Sequence, residues 1–263
     1  STVDASEIKN IPVTNITQGL AGRSPGLIVQ ASGVGVNKTS QISIRGGETP
    51  LVVIDGIIRA YNDFVALSPD DIENLAILKD ASATAVYGSR AANGILQVTT
   101  KRGKLGSKPM VEYNFNQSFS QPNIWPTKLN SYDRAYYMNF AAKSDGLSTL
   151  PFSDDDLNKF KDGSDPFGHA DVDWQSLVLK DYAPQQKHNI KMSGGSETNN
   201  YFVSLGYIDQ GSLYRNDSHE MQRTNFRLNQ SSVVKAIGLK TTAQIDGYVQ
   251  ETTHPYTSTS NSY

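Results

Sequence analysis

The chain has 263 residues, a net charge of −2 at pH 7 and no cysteine. This length allows one large or two smaller domains with a sizeable core. The near-neutral charge gives no reason to expect nucleic acid as a partner, and the lack of cysteine excludes disulfides and thiolate metal sites within it. No apolar run approaches the roughly 20 residues of a membrane-spanning helix, which still leaves room for membrane-spanning strands.

The first part of the chain predicts short elements joined by loops. Residues 1–9 are polar and show no partner pattern, so they are interpreted as a linker. Asn15 is a good N-cap for a short helix. A short strand at 27–30 and a Gly- and Ser-rich loop at 31–40 are predicted to follow.

The stretch from Gln41 to Lys101 indicates a compact α/β unit. Asp80 and Gly88 are typical of the two ends of a helix, and Asn93-Gly94 is a strong turn signal. Residues 59–67 are interpreted as a loop, and the sequence Ser68-Pro69-Asp70-Asp71 predicts one helical turn. Strands are predicted at Ile42–Ile44, Leu51–Ile54, around Leu75 and Ile77, and at Ile95–Thr100.

Four motifs in this unit carry a family resemblance: ISIRGG, LVVIDG, LKDASATAVYGSRAANG and TTKRGK, in this order. They resemble the plug domain of TonB-dependent outer-membrane transporters, and among these the SusC/RagA-type nutrient importers. Residues 101–109 are basic and irregular, which favours a domain boundary there. The resemblance implies a linker at 1–9, a plug domain at 10–104, and barrel strands with outer loops at 110–263.

After residue 109 apolar and polar side chains alternate, as in strands with one face in lipid and the other in a barrel lumen. Phe202 and Ile208 interrupt the polar face. The connections are alternately long and short, which is typical of outer loops and periplasmic turns. The alternating segments are Met110–Ser120, 189–193, 200–209, 223–230 and 237–250.

The first long connection is predicted to contain helices of its own. Ser131–Ala142 has helical spacing of apolar residues, and Ser153 with Asp156 forms a capping box for a second, shorter helix. The alternation of connection lengths places this segment on the outer side, with Met110 at the periplasmic rim.

The expected fold class is an α/β plug domain followed by antiparallel transmembrane β-barrel strands. Five strands cannot close a barrel, and the resemblance implies a barrel of about 22 strands that encloses a plug. The chain is therefore interpreted as the N-terminal part of a longer polypeptide, with an incomplete barrel.

Two sets of residues are candidates for functional sites. Arg45 and Arg90 lie in the IRG and YGSR motifs, and the resemblance implies that they anchor the plug by pairing with glutamates on later strands. Exposed surface arginines are the alternative. Aromatic faces beside amide and carboxylate groups suit sugars and peptides, and the candidates for substrate contact on this ground are Tyr61, Asn62, Asp63 and Phe64.

Other chemistries find little support in the sequence. The Gly-rich stretches lack phosphate-binding spacing, and no Ser/His/Asp arrangement has a supporting context. The acidic residues between 154 and 173 are attributed to a solvated loop rather than a calcium site. No catalytic activity, metal or cofactor is expected. The histidines, attributed to exposed loops, are His169, His188, His219 and His254.

The resemblance implies TonB-dependent import across the outer membrane of a bacterial cell. A SusD-like surface lipoprotein would capture the ligand, and the TonB complex would supply the energy that shifts or partly unfolds the plug. Oligosaccharides are the expected substrates, because the family mostly serves glycan uptake, and oligopeptides come second. A soluble binding or adhesion module, built from an α/β domain and a small sheet, stays open as a different class of protein.

Overall fold

A computed structural model describes residues 2–4, 15–31, 36–79, 85–122, 127–216 and 218–254. The chain forms two compact units, one made of the residues up to Ser120 together with those from Tyr182 onward, and the other of Gln121–Asp181. No helix in the described ranges is long and apolar enough to cross a membrane. The first unit contains an α/β body, up to residue 100, and a wall of five strands.

In its described residues, the α/β body contains seven short strands and two short helices. Its strands are β1 (Thr2–Asp4), β2 (Leu27–Ala31), β3 (Ser40–Ile44), β4 (Leu51–Ile54), β5 (Ile57–Arg59), β6 (Ile72–Leu78) and β7 (Ile95–Thr100). Its helices are α1 (Ile16–Gly19) and α2 (Tyr61–Ala66), with 3-10 turns at Pro69–Asp71 and Ala85–Ala91. The main sheet has the order β1-β6-β7-β4-β5, and β2 pairs with β3 separately.

Strand β4 runs through the middle of the core because it is apolar on both faces. Val52 and Ile54 face the larger cluster, which includes Phe64. Val53 faces the opposite side, where it packs with Ile95. A continuous apolar run is typical of a strand that is buried on both faces. The three strands predicted from apolar runs and the strand predicted from the alternation around Leu75 and Ile77 are all confirmed.

Three predictions about the α/β body need correction. Thr2–Asp4 form β1, which pairs antiparallel with β6, so these residues belong to the sheet and not to a linker. The segment 59–67 is mainly helix α2 rather than a loop. The predicted helix Asp80–Gly88 falls largely on 80–84, outside the described residues. From 85 to 91 the chain forms 3-10 turns around Gly88, which has φ 60° and ψ −149°.

The wall is an antiparallel meander in which each strand pairs with the next, in the order β8 to β12. All five predicted strands are confirmed, and four of them are longer than the alternating segments indicated. They are β8 (Met110–Ser120), β9 (Ala183–Gly195), β10 (Asn199–Gln210), β11 (Glu220–Val234) and β12 (Leu239–Thr253).

The two faces of the wall differ as the alternation predicted. The inward face is polar and lies against the α/β body, where Lys187, Lys191 and Arg227 are buried. Phe202 and Ile208, the exceptions on this face, are also buried, and Ile208 clusters with Val36 of the α/β body. The outward face is apolar and exposed along Val111, Tyr113, Phe115, Ile190, Met192, Leu205, Phe226 and Ile245.

Strand register shows where the apolar band of the outward face ends, near the Ser120 end of β8. One row of polar residues crosses all five strands, and it comprises Gln117, Gln186, Asp209, Gln222 and Glu251. On the Met110 side of this row, the outward side chains of the five strands are mostly apolar. On the other side of the row, β8 alone of the five strands carries a large aromatic residue, Phe119. Such a band bounded by polar residues is typical of strands that face lipid.

The linker between the α/β body and β8 lies close against the wall at Gly103. A Cβ atom built there would meet the carbonyl oxygen of Tyr201 and would lie 2.6 Å from that of Gly194. Only glycine fits without a shift of this backbone.

Replacing Gly103 with alanine is therefore expected to push the linker off the wall, at a cost of about 1–3 kcal/mol. The midpoint of urea unfolding of the complete polypeptide in detergent measures this loss. Lys104→Ala, at an exposed neighbouring position, is the control and should shift the midpoint little. Equal midpoints for the two variants would contradict the prediction.

In the described part of the second unit, Gln121–Asp181, the chain forms three helices, namely α3 (Ser131–Ser144), α4 (Asp154–Asp162) and α5 (Trp174–Val178). The predicted capping box of α4 is confirmed: the Ser153 hydroxyl accepts from the Asp156 amide, and the Asp156 carboxylate accepts from the Ser153 amide at 2.8 Å. Helix α3 extends two residues beyond the predicted range.

Candidate functional site

Three aspartates of the α/β body are buried against the wall. Asp55 belongs to the two-residue turn Asp55-Gly56 between β4 and β5, where both residues have positive φ (51° and 88°). Asp-Gly suits this turn, because these residues tolerate the left-handed region. Asp70 and Asp71 belong to the Pro69–Asp71 turn, immediately before β6.

Asp70 faces two lysines of β9. Its carboxylate lies 3.2 Å from Lys187 Nζ and 3.8 Å from Lys191 Nζ. Lys187 and Lys191 are four residues apart on one strand, so their side chains lie on the same face. Asn114 of β8 also donates to the Asp70 carboxylate, at 3.3 Å. The turn is thus held by both of the first two wall strands.

Asp55 and Asp71 share Arg227 of β11. The guanidinium lies 3.8 Å from an Asp55 oxygen, 4.0 Å from an Asp71 oxygen and 3.6 Å from an oxygen of Asp246 on β12. The side chains of Asp55, Asp71 and Arg227 are each exposed by 4 % or less. These distances exceed those of direct hydrogen bonds, so the attraction is mainly coulombic.

Burial has an electrostatic consequence at Asp71. Removal from water raises the pKa of its carboxyl above the usual value, although a hydrogen bond with Ser204 and the charge of Arg227 act in the opposite direction. A buried carboxylate is costly unless a cation compensates it. The wall cations therefore make it possible for the acidic turn to sit in this interface.

Neutral contacts and one reversed ion pair add to the interface. Asn229 Nδ2 donates to Thr100 Oγ1 at 2.9 Å and to the Lys101 carbonyl at 2.7 Å. Asn225 Nδ2 donates to the Ala66 carbonyl. One ion pair has the reverse arrangement, with its cation on the α/β body: Arg59 Nη2 of β5 lies 2.9 Å from Asp246 Oδ1 of β12.

A polar cavity of about 240 Å³ lies between α2 and strands β11 and β12. Asp63, Asp71 and Arg227 line it, among others. Several buried polar atoms around it have no hydrogen-bond partner among the described residues, namely Arg59 Nε, Asp71 Oδ1, Asn225 Oδ1 and Arg227 Nε. Its lining can accommodate a polar ligand or water.

The two predicted anchoring arginines lie away from this interface. Arg45 and Arg90 are both exposed, and Arg45 Nη1 donates to the Lys79 carbonyl at 3.2 Å. Their pairing with barrel glutamates stays a prediction. Apart from the Arg59–Asp246 pair, the ion pairs between the α/β body and the wall in the described residues have the opposite polarity, with carboxylates on the body and cations on the wall.

The four predicted substrate-contact residues share helix α2 but differ in exposure. Phe64 is 0 % exposed in the core, so its ring offers no surface to a ligand. The Tyr61 hydroxyl donates to the Ser40 carbonyl at 2.8 Å, and burial raises its pKa to about 12. Asn62 is exposed, and Asp63 lines the cavity.

Sequence reasoning missed the buried aspartates. The sequence Ser68-Pro69-Asp70-Asp71 correctly predicts one helical turn with Ser68 as its N-cap. Aspartates in such a turn are usually exposed, so the motif does not indicate that Asp70 and Asp71 are buried. The sequence did contain a signal for these aspartates, namely the basic residues at lumen-facing positions of β9 and β11. Buried cations need carboxylate partners, and these cations are Lys187, Lys191 and Arg227.

The second unit contains a histidine held between two carboxylates. His169 Nδ1 lies 2.8 Å from Asp165, and its Nε2 lies 2.9 Å from Asp156, the capping residue of α4. Hydrogen bonds to Asp156 and Asp165 raise the pKa of His169. Bonds from Ser153 and then His169 lower the pKa of Asp156 to about 2. Within the described ranges, no group of three or more His, Cys, Asp or Glu side chains is placed to hold a metal ion.

The stability of the second unit is expected to depend on pH. Since folding raises the His169 pKa, its stabilisation is complete below the usual 6.5 and is lost as pH rises through the folded value. Asp156 contributes above its usual 3.8 and loses this contribution as pH falls toward 2. Protection factors of the amides across 127–181 in the complete protein, which are exchange rates corrected for the intrinsic pH dependence, should be higher at pH 6 than at pH 8.5. His169→Gln should abolish that difference, and an unaltered difference would contradict the assignment.

Comparison with known proteins finds similarity to TonB-dependent receptors along most of the chain. The TonB-dependent Receptor Plug Domain family matches residues 1–95. TonB-dependent receptor P26 of Formosa agariphila is 32 % identical over 262 residues, covering 91 % of this chain and 25 % of that protein. TonB-dependent receptor SusC of Bacteroides thetaiotaomicron is 34 % identical over 244 residues, covering 88 % and 22 %.

Among solved structures, the RagAB peptide transporter superposes with a TM-score of 0.79 at 26 % identity. The match covers 97 % of this chain and 31 % of that one. The chain thus spans about a quarter of the length of its curated relatives, which accords with its open wall of five strands. On these grounds the chain belongs to the SusC/RagA-type TonB-dependent transporters of the outer membrane, and its α/β body is their plug domain.

Proposed function

We propose that the complete polypeptide imports nutrients across the outer membrane, powered by the TonB complex and served by a SusD-like surface lipoprotein. The observation that carries this proposal is the seating of the plug by buried charge pairs on the polar face of a wall whose other face is apolar. A soluble binding module would have no use for an exposed apolar face of this extent. The Met110 end of β8 is then periplasmic, and the Gln117 row lies toward the outer surface.

Oligosaccharides are the proposed substrates. The support is the resemblance to a family that mostly serves glycan uptake, together with similarity to a SusC protein. Oligopeptides are the second candidate, favoured by the similarity to RagAB, which is described as a peptide importer. Asn62 and Asp63 are proposed to contact the ligand, because their amide and carboxylate groups remain accessible at the surface or in the cavity.

Uptake by cells with and without the complete gene tests the activity. Labelled oligosaccharide and oligopeptide mixtures should be supplied separately, with and without a protonophore that removes the energy for TonB. Gene-dependent, protonophore-sensitive uptake of sugars supports the first substrate class, and of peptides the second. Absence of energised uptake of either would refute import.

The substrate-contact proposal has a separate test. Asn62→Ala and Asp63→Asn should raise the concentration for half-maximal uptake several-fold while leaving the amount of protein in the membrane unchanged. Glu73→Gln, at an exposed position on β6, is the matched control. Identical half-saturation in all of these proteins would exclude contact by α2.

A further inference from the structure

Two histidines stand side by side where β11 begins and β12 ends. Strand register pairs Glu220 with Thr253 as the last step of this antiparallel pair, and His219 and His254 are the next residues on the two strands. Their ring centroids lie 5.2 Å apart, with an angle of 50° between the ring planes. The wall therefore brings together two imidazoles that are far apart in the sequence.

One ring nitrogen of His219 has unused bonding capacity. Its Nε2 is shielded from solvent and has no hydrogen-bond partner among the described residues. Two other histidines differ in this respect: His169 has a carboxylate at each ring nitrogen, and His188 Nδ1 shares a hydrogen bond with the Tyr113 hydroxyl. A shielded polar atom without a partner is unfavourable, so Nε2 of His219 is suited to a ligand from outside the chain.

The surroundings of His219 favour its neutral ring and place it on the lumen face. His219 is two residues before Met221, which is buried on that face, and alternate residues of a strand share a face. Burial first, and then the charges of His254 and of Lys38 on the plug, lower the pKa of His219. Since a metal ion binds the neutral imidazole, this ring can coordinate a cation at neutral pH without first losing a proton.

The spacing of the two rings suits a shared metal ion. Imidazole is a ligand that Zn²⁺, Cu²⁺ and Ni²⁺ accept readily. With metal–nitrogen bonds of about 2.0–2.1 Å and a tetrahedral angle, the centres of two coordinated rings are roughly 5 Å apart. The observed separation of 5.2 Å is close to this value. Because the described residues place no third histidine, cysteine or carboxylate here, the other coordination positions are open to water or to a ligand.

We propose that His219 and His254 together bind one transition-metal ion of the Zn²⁺ or Cu²⁺ type on the lumen face of the wall. The ion would join the ends of β11 and β12 and satisfy the shielded nitrogen of His219. Its open positions would give the lumen a centre that accepts oxygen or nitrogen donors. This inference goes beyond the import function and does not depend on it.

Equilibrium dialysis of the complete transporter against buffered free Cu²⁺, in detergent and without a polyhistidine tag, tests the site. The wild-type protein should retain one more Cu²⁺ per polypeptide than either His219→Gln or His254→Gln. The electron paramagnetic resonance spectrum of that additional ion should show two nitrogen ligands. His169→Gln is the matched control and should retain as much Cu²⁺ as the wild type. Equal retention by the wild type and either pair variant overturns the proposal, and so does an equal loss in all three variants.

Chemical modification of the unaltered protein provides a second measurement, which applies even if a variant fails to fold. Diethyl pyrocarbonate acylates free imidazole nitrogens, and mass spectrometry of the digested protein reads each histidine separately. Saturating Zn²⁺ should slow the modification of both His219 and His254 several-fold and leave that of His188 unchanged. Equal rates for the pair with and without Zn²⁺ overturn the proposal. Neither measurement involves uptake, so the import function stands or falls separately.

Discussion

Replacing Arg227 with alanine is expected to destabilise the seated plug by about 3–5 kcal/mol, the usual cost of removing one partner from a buried ion pair. Arg227 is the cation that faces Asp55, Asp71 and Asp246 at 3.6–4.0 Å. Without Arg227, two carboxylates of the plug and one of the wall would share a largely buried region with less positive charge to compensate them. Pulse proteolysis of the complete protein over a urea gradient reports how much plug has left the wall.

The matched control for Arg227 is an exposed pair on the same wall. Lys235 Nζ lies 3.1 Å from Glu197, and both side chains are mostly exposed. Pairs of this kind contribute about 0–1 kcal/mol, so Lys235→Ala should release little plug. If both variants released the plug at the same urea concentration, the buried charges would not be what seats it.

Replacing Phe64 with alanine is expected to destabilise the plug by about 3–5 kcal/mol, because a wholly buried ring leaves a cavity that the core refills only in part. The same urea gradient measures this loss. Phe64→Leu should recover much of the stability, since it keeps most of the apolar volume.

An exposed apolar residue of the same body provides the control for Phe64. Ile57 on β5 is 52 % exposed, so Ile57→Ala should change stability by less than about 1 kcal/mol. Uptake by Phe64→Leu separates packing from ligand contact. A normal half-saturation concentration in this variant would agree with the core position, and a several-fold increase would argue for a role toward the ligand.

The strands could be predicted because their patterns are local. An alternating run such as Met110–Ser120 specifies a strand and its apolar face. A short apolar run such as Leu51–Ile54, flanked by Pro50 and by Asp55-Gly56, indicates a strand that is buried on both faces. The cap at Asn15 and the capping box at Ser153 were predicted for the same reason, since each depends on residues three positions apart.

What could not be predicted depends on partners far away in the sequence. Helix α2 is one turn and a half long and has too few residues for a periodic signal, and its position is fixed by the burial of Phe64. Strand β1 is only three residues long and gains its structure from pairing with β6. The acidic turn at Asp70 is buried only because lysines more than 110 residues later face it.

These long separations also bear on the order in which the chain folds. The hairpins of the wall join neighbouring strands, such as β9 and β10, through turns of a few residues, so they close quickly. The Asn225–Ala66 and Arg59–Asp246 contacts join residues 159 and 187 positions apart, and they can form only once both surfaces exist. We therefore expect wall assembly to precede plug insertion, with the unoccupied cationic face guiding the acidic turn to its place.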